Sequence, residues 1–205
     1  MAAHWLFQRF GLVIPFIVPL AIQFPTALLF GLLMRPTSYR EQLEAVCLAV
    51  DAQGSTALGQ RLSHARYARL LSEHTAALSA PLSARGAAVL PPEGDGFVGL
   101  WLTRNPAATS RFEAARRVQA CRGVIEMMDA SRAFHDREPE DVRLPIRIGL
   151  SMGTVTVDSD PDRGIFNVVG DAVNVAARIR DLNRDLGTCA LASQDVVSGL
   201  ETTFT

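Results

Sequence analysis

From Phe10 to Met34 the chain runs for about 25 residues without a charge, with Gln23 as its one strongly polar side chain. At 1.5 Å rise per residue this is roughly 37 Å of helix, more than a hydrocarbon core of about 30 Å requires. The run predicts one transmembrane helix over residues 10–34, with residues 1–9 as an amino-terminal tail. Pro15, Pro19 and Pro25 fall inside it, and membrane helices tolerate proline where neighbouring groups satisfy the freed carbonyls. A cleaved signal peptide is disfavoured by the length of the apolar run and the lack of a small-residue cleavage site, and a buried core helix by the length alone. Residues 35–44 read as a short polar linker containing Pro36.

After the linker the pattern changes period. An apolar run predicts a strand over Ala45 to Val50, followed by a helix from about Ser55 and a longer helix from Tyr67 to Leu82. Gly86 to Leu90 and Gly96 to Leu102 read as two strands of a hairpin whose turn lies around Pro91 to Asp95. A helix over Arg111 to Phe134 follows, then a strand pair, Ile146 to Val157 and Ile165 to Val169. A helix opening at Asp171 and a last strand over Cys189 to Ala192 complete the pattern. Strands alternating with helices, with no internal repeat, predict a mixed α/β sheet in an α+β sandwich.

Composition narrows the function classes. The chain is 48% hydrophobic and 20% charged with a net charge of −1, which excludes a disordered chain and an electrostatic nucleic-acid binder. Cys47, Cys121 and Cys189 are widely spaced with no CxxC pair, as expected of reduced thiols on the cytosolic side and not of a disulfide framework or zinc site. Arg35 and Arg40 after the apolar run, against Arg9 before it, bias the carboxyl side weakly toward the cytoplasm.

Three segments carry candidate chemistry. Asp51 ends the first apolar strand, and the following Gln53, Gly54, Ser55 and Thr56 open a helix whose backbone N–H groups can face anionic oxygens. Asp95 follows Gly94 in the hairpin turn, where it would face Asp51 across paired strands; two carboxylates without a basic partner repel, and a divalent cation relieves this. Read singly, each Asp is a helix cap or turn residue. In Gly170 to Ile179, GDAVNVAARI, Asn174 and Arg178 stand four apart on the first turns of a helix and share one face.

These segments, VDAQGST, EGDGF and GDAVNVAARI, resemble the catalytic domain of the class III adenylate and guanylate cyclases, in family order and over about Val46 to Leu200. The resemblance implies an α/β sandwich related to the ferredoxin-like fold. It implies that Asp51 and Asp95 hold two Mg2+ or Mn2+ ions, one lowering the pKa of the ribose 3′-hydroxyl and the other neutralising the leaving pyrophosphate. It assigns ribose orientation to Asn174 and stabilisation of charge on the α-phosphate to Arg178. Because the family builds its site from two subunits, it also implies a head-to-tail homodimer with two equivalent sites. The expected protein is a single-pass, inner-membrane cyclase with residues 45–205 as its cytoplasmic catalytic domain, acting in signal transduction.

The departures from the family are specific. The family's adenine-reading Lys position holds Pro91, which offers neither charge nor donor. Its partner position holds Asn167, whose amide can serve adenine or guanine. ATP is favoured over GTP only because bacterial, membrane-anchored members mostly make cyclic AMP. The carboxyl end stops before a strand pair that supplies a basic residue to the triphosphate in the family, so the expectation is either a fragment of a longer protein or a curtailed domain. A catalytically silent, nucleotide-binding or regulatory module is the alternative. A diguanylate cyclase is disfavoured because EGDGF is not a GGDEF-type hairpin.

Other residues read as bland. His4, His64, His74 and His135 lack metal-ligand spacing and are expected to be surface or partly buried. Trp101 is expected in the core, and Arg116, Arg117 and Arg122 on the solvated face of an amphipathic helix. GLSMGTV lacks the Lys of a P-loop and reads as structural strand.

Overall fold

The computed structural model describes residues 39–103, 110–160, 164–200 and Thr203. The 1–9 tail and the 10–34 span lie outside these residues; among the described residues no helix is long and apolar enough to cross a membrane. The elements in chain order are β1 (Tyr39–Ala52), α1 (Ser55–Arg61), α2 (His64–Ala84), β2 (Ala88–Val89), β3 (Gly96–Thr103) and α3 (Ser110–His135). They continue with β4 (Ile146–Asp160), β5 (Gly164–Val169), α4 (Asp171–Leu186), β6 (Ala190–Ala192) and α5 (Gln194–Val197).

Five strands lie in the order β2-β3-β1-β4-β5, all antiparallel, and β6 pairs parallel with β4. The central strand β1 is buried on both faces. Val46, Leu48 and Val50 point into one core with Leu78 and Leu82 of α2 and Val124 and Met127 of α3. Leu43, Ala45, Cys47 and Ala49 point into a second core with Ala172 and Ala176 of α4. Helices on both faces explain why this antiparallel strand reads as a continuous apolar run and not as an alternating one. Trp101 sits in the first core, as expected, and its indole N–H donates to Arg85 O at 3.0 Å.

Two sequence expectations need correction. β1 begins at Tyr39, so residues 39–44, read as linker, are strand paired with 154–159 of β4. His74 is fully buried: Leu70, His74, Leu78 and Leu82 recur every fourth residue and form the buried stripe of α2. Its ring packs against Phe134 and stacks on His135 at 5.7 Å, and its Nε2 has no hydrogen-bond partner among the described residues. Burial, with a smaller repulsion from His135, lowers the His74 pKa from 6.5 to about 4.

The pH dependence of folding follows. The unfolded chain takes up the His74 proton near pH 6.5 and the folded chain does not until about pH 4. Stability is therefore full above pH 6.5 and declines as pH falls from 6.5 toward 4, by about 3 kcal/mol at 1.36 kcal/mol per unit. Urea midpoints at stepped pH are expected to drop over that window, and more shallowly in His74→Leu. Burial lowers the His135 pKa as well, so some slope remains in the variant.

Helix α4 lies unusually close to β4, and Gly149 makes this possible. A Cβ at Gly149 would stand 2.1 Å from Ala176 O and 2.3 Å from Arg180 N, both backbone atoms. The contact is completed by buried Asn183, whose amide donates to Ile148 O at 2.9 Å and accepts from the Thr188 hydroxyl at 2.8 Å. Gly149→Ala is expected to push α4 off the sheet and cost about 3 kcal/mol, the upper range for overpacking, read as a lowered urea midpoint.

Candidate active site

Asp51 stands at the end of β1, where its neighbours across the sheet are Gly96 of β3 and Arg147 of β4. Asp95 is placed beside it by a two-residue turn: Glu93 and Gly96 bond to each other through both N–H and C=O groups. Gly94, at φ +66°, supplies the left-handed conformation that this turn requires. Ala52 N donates to Asp95 O at 3.2 Å, which ties the turn to the strand end. Both carboxylates line one cavity of 420 Å³, together with Pro91, Glu93, Asn167 and Arg180.

Asp51 is not the unpartnered carboxylate expected from the sequence. Arg147 clasps it with two parallel bonds, Nε to Oδ1 at 3.0 Å and Nη2 to Oδ2 at 2.6 Å. The two side chains are only 10% and 15% exposed, so this is a desolvated, bidentate pair with well-defined geometry. The hydrogen bond to Asp51, more than its charge, raises the Arg147 pKa and keeps the guanidinium cationic. Arg180 of α4 adds a third charge, its Nε 3.7 Å from Asp51 Oδ2.

Sequence reading missed both arginines. An Arg within the apolar strand IRIGL was the available signal for Arg147, since a charge at such a position is buried only when paired. Asp95 accepts a hydrogen bond from the Ser55 hydroxyl.

The other candidate residues divide sharply. Gly54 and Thr56 are exposed, and Ser55 is buried with its hydroxyl on Asp95; none of the three lines the cavity. Asn167 does line it, and its amide donates to Asp158 Oδ2 at 2.9 Å. Hydrogen bonds from Arg40 and then Asn167 hold the Asp158 carboxyl below its ordinary pKa. An ionised carboxylate only accepts, so the amide NH2 of Asn167 must face it and its carbonyl oxygen is left for another donor.

Asn174 and Arg178 are exposed on α4, whereas Ala172, Ala176 and Asn183 face the sheet. They share a face, and they do not line the cavity that holds Asp51 and Asp95. Among the remaining residues, Arg117 is not merely solvated: it donates to Asp195 O and Ser198 O and ties α3 to the α5 turn. GLSMGTV is strand, within β4.

Asp51 and Asp95 are the residues that would hold divalent cations in this cavity. Asp51 has about four acceptor sites, of which Arg147 takes two, and Asp95 gives one to Ser55. Mg2+ is commonly held by one or two carboxylates together with phosphate oxygens and water. Among the described residues no group of three or more His, Cys, Asp and Glu side chains forms a cage, so the phosphates would complete the coordination.

A curled antiparallel sheet covered by helices, with paired aspartates at a strand end and hairpin turn, defines the class of a nucleotide cyclase domain. Residues 38–197 match the family model described as the adenylate and guanylate cyclase catalytic domain, and the chain belongs to that family. It is 28% identical over 160 residues to adenylate cyclase 1 of Rhizobium meliloti (strain 1021). That match covers 76% of this chain and 23% of the relative. It is 29% identical to adenylate cyclase 2 of the same organism over 78% of this chain and 42% of the relative. The chain thus spans less than half the length of these curated relatives.

Among solved structures, a bacterial light-regulated adenylyl cyclase superposes with a TM-score of 0.65 at 20% identity, over 80% of this chain and 82% of that one. The guanylyl cyclase Cya2 superposes at 0.60 and 21% identity, over 77% and 78%. Both show the shared fold.

Proposed function

We propose that this chain is a membrane-anchored nucleotide cyclase that converts ATP, with GTP as the alternative substrate, into the 3′,5′-cyclic monophosphate and pyrophosphate. The observation that carries the reading is the split of the candidate residues. Asp51 and Asp95 share a cavity, while Asn174 and Arg178 stand exposed on α4 away from it. That split suits a head-to-tail homodimer in which one protomer's carboxylates meet the other's Asn174 and Arg178.

Two Mg2+ or Mn2+ ions on Asp51 and Asp95 would supply Lewis acidity toward the 3′-hydroxyl and the leaving pyrophosphate. The residues do the rest. Arg147 fixes the Asp51 carboxylate so that its remaining lone pairs face the cavity. Asn174 orients the ribose so that its 3′-oxygen approaches the α-phosphorus. Arg178 meets the charge that builds on the α-phosphate as the new P–O bond forms and the bond to pyrophosphate breaks. Asn167 presents its carbonyl oxygen to the exocyclic amine of adenine, with Asp158 and Arg40 setting the amide's orientation. The apolar run over residues 10–34 supports a single membrane anchor with the cyclase domain on the cytoplasmic side.

A catalytically silent nucleotide-binding module is the second reading, favoured by Arg147's hold on Asp51 and by Pro91 at the base-reading position. The assay is cyclic nucleotide production by the purified full chain with ATP or GTP and Mg2+ or Mn2+. Metal-dependent cyclic AMP, exceeding cyclic GMP, is expected; binding of nucleotide without product by a folded dimer would favour the silent module.

A further inference from the structure

Arg180 is a cationic group lining the cavity that the reaction scheme leaves unused. Its backbone is held against β4 by the close approach at Gly149, and its side chain, 24% exposed, lines the cavity. Nε and Nη2 donate to Asp181 Oδ1 at 3.0 and 2.9 Å, and Nε also lies 3.7 Å from Asp51 Oδ2. Nη1 has no partner among the described residues. The guanidinium therefore stands between a carboxylate inside the cavity and one at the surface.

Those two partners are unequal. Asp181 is 58% exposed, and an exposed ion pair contributes little because water competes for both charges. Asp51 is already bonded by Arg147 through two hydrogen bonds, so Arg180 adds only a longer-range attraction to it. The cavity also collects negative charge. Asp51, Asp95 and Glu93 line it, but Arg147 already neutralises Asp51, and the terminal oxygens that a bound triphosphate leaves uncovered by cations stay anionic and call for a further donor. A planar guanidinium with a spare donor edge is suited to two-point contact with phosphate oxygens.

We propose that Arg180 is a triphosphate-binding residue, which turns from Asp181 to the β- or γ-phosphate oxygens of the nucleotide held at Asp51 and Asp95. It would act within the protomer that carries the two aspartates, whereas Asn174 and Arg178 act on the partner's site. The proposal rests on the cyclase reading.

The test is calorimetric binding to the full chain with Mg2+, using α,β-methylene-ATP, inorganic tripolyphosphate and AMP as probes. Arg180→Ala is expected to weaken binding of the first two about tenfold, as loss of a charge-assisted hydrogen bond does, with AMP changed less than twofold. Arg180→Lys, which keeps the charge but not the fork, is expected to recover part of the loss. Thermal melting of both variants, and of Arg180→Gln, establishes that the protein compared is folded. In turnover the same change is expected to raise KM more than it lowers kcat. Unchanged affinity for tripolyphosphate in folded variants would overturn the role of Arg180 alone. A wild-type chain that binds neither triphosphate probe would overturn the cyclase reading as well.

Discussion

Asp51→Asn is expected to lower cyclic nucleotide formation by at least about a hundredfold while the protein stays folded. Two effects compete in this variant. The first is structural: Arg147, 10% exposed, loses a full counter-charge. Removing one partner of a buried pair typically costs about 3–5 kcal/mol. Here the asparagine carbonyl still accepts one bond from the guanidinium, and the side chains keep some contact with water. A loss of about 2 kcal/mol is expected, well inside the 5–15 kcal/mol typical of a native domain. The second effect is chemical: Asp51 would no longer offer its charge to a divalent cation, which would then supply less Lewis acidity toward the hydroxyl and the leaving pyrophosphate. The chemical loss dominates the rate. A urea curve measured beside a Mn2+-supported turnover assay separates the two.

Arg178→Ala should show the opposite balance, a large kinetic loss with almost no change in stability. Arg178 is exposed on α4 and makes no hydrogen bond or ion pair among the described residues. Surface substitutions of that kind usually move stability by no more than about 0.5 kcal/mol. Losing one donor aimed at charge that develops in the transition state costs about 2.7–4 kcal/mol, or 10²–10³ in kcat. Arg178→Lys is expected to recover little of this, because an ammonium lacks the planar two-point fork. Melting curves that overlay the wild type, with kcat down at least a hundredfold, are the expected pair of results. A side chain that is only solvated surface would leave both unchanged.

The parts of this molecule legible in the sequence are those fixed by local rules. The Gly94-Asp95 turn, the helix beginning at Asp171 and the apolar strand before Asp51 each follow from neighbouring residues. Residues 39–44 were not legible as strand because Tyr39, Arg40, Glu41 and Gln42 are exposed, and their ladder to β4 is a backbone interaction with no side-chain pattern. Arg147 meets Asp51 only through the β1–β4 register, 96 residues along the chain, and no local pattern encodes that distance. The inward turn of Arg180 depends on how α4 is seated, which Gly149 decides from a different strand. His74 was legible and overlooked: its four-residue spacing with Leu70, Leu78 and Leu82 marks a core position.

The central claim is that one active site is built from two chains, and mixing the two variants tests it directly. In a heterodimer of Asp51→Asn with Arg178→Ala, one site carries both defects and the other carries neither. Random reassociation makes half the dimers mixed, so the account expects about a quarter of wild-type cyclic nucleotide production from two preparations that are each nearly inactive. Mixtures that reassociate, shown by exchange of a labelled subunit, and still produce no more than either variant alone would contradict it.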